Sequence, residues 1–71
     1  VVEIIETITQ TLGNNGAKKE ITLFNDARIL IEKYNNEGKL MWQLFKDATT
    51  SNLEWLSKQG FTNKIYDVRM V

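Results

Sequence analysis

The chain predicts a small α+β domain with element order α-β-β-β-α-β and an antiparallel sheet. Three observations carry that expectation. Lys18–Phe24 alternates, with Ile21 and Leu23 on one side and Glu20, Thr22 and Phe24 on the other. Asn35-Asn36-Glu37-Gly38 places asparagine at the first turn position and glycine where a positive φ is needed, the signature of a hairpin turn with a glycine bulge. Ser51 with Glu54 three residues on reads as a capping box, and Gly60 supplies the stop of a helix over 51–59.

Val1, Ile5, Ile8 and Leu12 fall on one helical face, with Glu3 and Glu6 near the positive end of the helix dipole and Gly13 after the last apolar residue. The expectation is therefore a helix over 1–12. Asn14-Asn15-Gly16 is a turn. Asn25-Asp26 is read as a two-residue hairpin turn, since both residues tolerate positive φ. Centring the next hairpin on 35–38 sets Leu30 against Leu44, Tyr34 against Leu40, Ile29 against Phe45 and Arg28 against Lys46. The first turn sets Lys19 against Glu32. Phe61 folds back on the end of the second helix. Lys64–Val71 is a strand, with Tyr66, Val68 and Met70 on one side, and is the expected open edge of the sheet. The competing arrangement is mostly helical, with helices at 26–35 and 40–48 and a single C-terminal strand.

Composition narrows the functions. The chain has 71 residues, no His, no Cys and no Pro, and a net charge of zero. The whole of 1–71 is expected to be one domain. The commonest general base, thiol nucleophile and zinc ligands are all missing. No phosphate-binding glycine motif and no calcium loop occurs. Ser51, Ser57 and Lys58 are explained by the helix, and Glu32, Glu37, Asp47 and Asp67 as solvated charge. No catalytic residue, cofactor or metal is expected. No apolar run approaches the roughly 20 residues of a membrane span. The acidic N-terminus lacks the basic start of a signal peptide. A cytoplasmic protein is expected.

The predicted element order resembles that of double-stranded RNA-binding domains and of small toxins of the HicA type. The residues depart from both. The second helix opens Thr49-Thr50-Ser51-Asn52 without the lysine cluster the first implies, and the His implied by the second is missing. Nucleic-acid binding is thus the alternative function, through Lys18, Lys19, Arg28 and Lys46.

The leading expectation rests on the large side chains. Seven aromatics are many anchors for so small a core. The predicted three-strand meander is apolar on both faces, more than two short helices can cover. The function expected is a non-catalytic protein-interaction module, binding a protein partner or a second copy through Trp42, Trp55, Tyr34, Tyr66 and Met41. The asparagine-rich turns and compact neutral chain suggest a phage or mobile-element accessory protein.

Overall fold

The computed structural model describes residues 1–13 and 16–62. Four strands are followed by one helix: β1 Ile4–Leu12, β2 Ala17–Phe24, β3 Arg28–Tyr34, β4 Leu40–Asp47 and α1 Thr50–Gln59. The strands form an antiparallel sheet in the order β1-β2-β3-β4. The architecture is α+β, but the order among the described residues is β-β-β-β-α. The resemblance in element order to the RNA-binding domains and toxins therefore lapses. The predicted strand at 64–71 and the turn residues 14–15 lie outside the described residues.

The predicted helix over 1–12 is strand β1. Its Ile and Thr residues are β-branched and favour extended backbone. Thr7, Thr9 and Thr11 form the exposed side, while Ile8 turns inward opposite Ile21. The adjacent pair Ile4-Ile5, which argues against simple alternation, is absorbed by a bulge. Ile4 pairs with Phe24 and Glu6 with Leu23, leaving Ile5 as the extra residue packed against the core. The mostly helical arrangement is likewise overturned, because 28–34 and 40–47 are both strands.

Both internal hairpins differ from the predicted register by one residue. The first loop is Asn25-Asp26-Ala27 rather than Asn25-Asp26, and Ala27 occupies the left-handed region at φ 68°. Its carbonyl accepts the Ala48 N–H at 2.8 Å, which ties the loop to the start of α1. Lys19 consequently faces Lys33, and Glu20 faces Glu32. The second turn is as expected. Gly38 sits at φ 82°, its N–H donates to the Asn35 carbonyl at 3.0 Å, and the Asn35 side chain accepts from the Glu37 and Lys39 amides at 2.9 Å. Tyr34 does face Leu40. A bulge at Met41 then adds one residue, so Leu30 faces Phe45, Ile31 faces Leu44, Ile29 faces Lys46 and Arg28 faces Asp47. A one-residue shift exchanges the faces of a strand. Leu30 therefore lies on the other face of the sheet from Leu44 and Trp42, and Lys33 shares a face with Lys46 rather than with Lys18.

Helix α1 is capped by Thr49, not Ser51. Thr49 is extended (φ −73°, ψ 167°) and its hydroxyl accepts the Asn52 N–H at 3.2 Å. The Asn52 amide donates to the Asp47 carbonyl at 2.6 Å, so the end of β4 places the cap two residues earlier than Ser51. At the other end Gly60 is left-handed at φ 106°, and the Phe61 N–H donates to the Leu56 carbonyl at 3.2 Å. That closure folds buried Phe61 onto the helix, as the sequence predicts.

The core lies between α1 and one sheet face. Ile21, Leu23, Ile29 and Leu56 are fully buried, joined by Ile31, Ala48 and Phe61. Ile5, Ile8, Leu53 and Trp55 pack around them.

Replacing Gly38 with Val puts a β-branched residue in a left-handed turn with open space around it. The cost is then conformational, about 1–2 kcal/mol or more. Thermal or denaturant unfolding should show a clear loss of stability, and an unchanged midpoint would contradict the turn.

Candidate functional site

The pairings run across the sheet as rows that alternate between faces. On the helix side lie Gln10-Lys19-Lys33-Trp42, Ile8-Ile21-Ile31-Leu44 and Glu6-Leu23-Ile29-Lys46. On the open side lie Thr11-Lys18-Tyr34-Leu40, Thr9-Glu20-Glu32-Gln43 and Thr7-Thr22-Leu30-Phe45.

Helix α1 starts beside Ala27, where Ala48 is bonded, and ends beside β1, where the Gln10 side-chain amide donates to Gln59 at 2.7 Å. It crosses the sheet on a diagonal that leaves one corner of the helix side uncovered, on β4. Trp42 and Leu44 are there, 46% and 47% exposed. Leu40, Met41 and Phe45 of the same strand are exposed as well, Phe45 at 52%. β4 is also an edge strand, with β3 on one side and no described strand on the other. An apolar segment over 41–45 therefore combines exposed side chains with a row of backbone donors and acceptors that no described strand pairs. The other edge, β1, exposes threonines along the same length.

Trp42 and Met41 are thus both on this strand. Tyr34 stands next to it, opposite Leu40, but is half-buried, with the Lys18 ammonium 5.2 Å from its ring centre. Trp55 is not part of the patch. It packs against the core with Lys46 at 5.1 Å and Lys19 at 6.0 Å from its ring centre. Tyr66 lies outside the described residues. Sequence reasoning passed over Leu44 and Phe45, whose signal is that they continue the apolar run of Met41 and Trp42 on a strand with one neighbour.

The four cations proposed for nucleic acid are split between faces. Lys18 pairs with Glu20 at 3.1 Å, and Arg28 with Asp26 at 2.7 Å, both on the open side. The Arg28 guanidinium also spans Phe45 at 5.6 Å and Phe24 at 6.0 Å. Lys19 and Lys46 share the helix side with Lys33, which the predicted register had placed opposite to Lys46. Among the described residues, no group of three metal-ligating side chains comes together and no helix is long and apolar enough to cross a membrane.

Partial burial raises the Tyr34 phenol above its ordinary value of 10.0, and the Glu32 and Glu20 carboxylates raise it further, with Lys18 opposing. A raised folded value favours the protonated phenol. Its contribution to stability is whole below 10.0 and is lost as pH climbs through the folded value. Spectrophotometric titration of a Tyr66→Phe variant, which leaves Tyr34 as the single tyrosine, should place Tyr34 above free tyrosine, and Glu32→Gln in that background should bring it down.

The chain matches no protein-family model, no curated protein and no solved structure.

Proposed function

We propose that this chain is a non-catalytic protein-interaction module that takes its partner along the outer edge of β4. The observation that carries this reading is the run Met41–Phe45 on an edge strand, with Met41, Trp42, Leu44 and Phe45 all about half exposed. Backbone pairing supplies affinity in such strand addition, and side chains of alternate residues on each face supply selectivity. The exposed Trp has the residue type most enriched at the energetic centre of interfaces. A cytoplasmic setting, and an accessory role in a phage or mobile element, belong to the same proposal and are suggested by the neutral, Cys-free, asparagine-rich composition.

The second reading is nucleic-acid binding. It is supported by Lys19, Lys33 and Lys46 sharing one face with Trp42 and Trp55. Two features weigh against it: the zero net charge, and Lys19 and Lys46 already held at the Trp55 ring.

Trp42→Ala should remove about 2 kcal/mol or more of partner binding, the scale of an interface hot spot. It should leave the unfolding midpoint nearly unchanged, because Trp42 lies outside the core. The readout is retention on immobilised protein in its native lysate, with nuclease and high salt as parallel treatments. Retention that survives both treatments and falls with Trp42→Ala supports the protein-binding reading. Retention lost on nuclease or salt treatment overturns it in favour of nucleic acid, and retention indifferent to Trp42→Ala removes β4 as the surface.

A further inference from the structure

Resting on that reading, we propose that the partner is a second copy of this chain, joined β4 to β4 in antiparallel fashion about a two-fold axis through Gln43. Residues directly opposite each other in an antiparallel pair point to the same side of the sheet. A symmetric pairing of one strand with its copy must therefore place the axis at a residue. Three registers lie within the exposed run. An axis at Trp42 sets Met41 against Gln43. An axis at Leu44 sets Gln43 against Phe45 and Trp42 against Lys46. An axis at Gln43 sets Trp42 against Leu44 on the helix side, Met41 against Phe45 on the open side, and Gln43 against its own copy. Only the last leaves no apolar residue of 41–45 opposite a polar one. A primary amide is both donor and acceptor, so two of them can bond across the axis.

The flanking charges agree with this direction. Lys39 lies before the run, and Lys46 and Asp47 after it, with Lys46 held over the Trp55 ring on the helix side so that Asp47 is the charge left at that end. Antiparallel association brings the Asp47 end of each copy toward the Lys39 end of the other, whereas parallel association would set like beside like. The bulge at Met41 limits regular pairing beyond that residue, so the interface centres on 41–45. The product joins the eight described strands of the two copies into one sheet with both α1 helices on one face. Trp42 and Leu44 of the two copies then fill the uncovered corner between the helices. An interface that finds its equal on a second copy is the commonest closed assembly.

The chain contains no Cys, so a single introduced thiol reports the axis. Gln43→Cys should form a covalent dimer readily under mild oxidation, because opposed Cα atoms lie about 4.5–5.5 Å apart, inside the disulfide range. Met41→Cys should not, because its own copy would sit roughly 13 Å away along the strands. Sedimentation of the unmodified chain should show concentration-dependent dimerisation, weakened at least about 30-fold by Leu44→Lys, the hot-spot scale. Leu44 is half exposed, so this variant keeps the fold, which its unfolding midpoint verifies. A monomer at all concentrations, or equal crosslinking at 41 and 43, overturns the dimer. If lysate capture remains sensitive to Trp42→Ala while the chain is monomeric, the interaction reading stands and the second copy is excluded. If that sensitivity is lost too, both readings fail.

Discussion

Helix α1 is ten residues, about 15 Å long, and it is the described helix that covers a sheet of four strands. Its two ends are set by hydrogen bonds at opposite corners: Asn52 to the end of β4, and Gln59 to β1. Between them it covers the middle of the helix side, where Ile21, Leu23, Ile29 and Ile31 are buried under Leu56 and Phe61. A helix about 10–12 Å wide on such a diagonal cannot also cover the far corner of β4. The exposure of Trp42 and Leu44 is a geometric consequence of that crossing.

The open side carries no second described layer, and it is made tolerable by its own side chains. Threonines fill β1, and Thr7 bonds Thr22 through their hydroxyls at 3.2 Å. Arg28 lies over Phe24 and Phe45, and Lys18 over Tyr34, so long polar side chains shade aromatic rings. The shading thins toward β4, where Phe45 remains half exposed despite Arg28. Both faces thus become less protected at the same strand.

Charge does not set the register. Glu20 stands opposite Glu32 and Lys19 opposite Lys33, arrangements that cost a few tenths of a kcal/mol to about 1 kcal/mol each. The predicted register, with Lys19 facing Glu32 and Glu20 facing Ile31, would have relieved both and left Lys18 against Lys33 as the single like-charge pair. It would also have slipped Ile29 and Ile31 to the open side. Burying those two side chains is worth about 1.5–3 kcal/mol apiece, so the apolar rows prevail over the charged ones. The left-handed backbone at Ala27 is part of the same settlement, since the third loop residue brings Ile29 and Ile31 under the helix.

The sequence by itself determined the local features: the alternation of β2, the glycine turn at 35–38, the closure at Gly60 and Phe61, and the surplus of large apolar residues over 40–45. Each depends on neighbours within a few positions, where backbone preference and side-chain type act directly. Tertiary structure decided the rest. Val1–Leu12 has both a helical and an extended reading, and only pairing with β2 selects the strand, with Ile5 taken up in a bulge. The cap at Thr49 depends on where β4 ends. The faces of β3 and β4 depend on an extra loop residue at Ala27 and a bulge at Met41. Alternation has a period of two, so a single added residue reverses a whole strand, and only the packing of the buried rows chooses between the results.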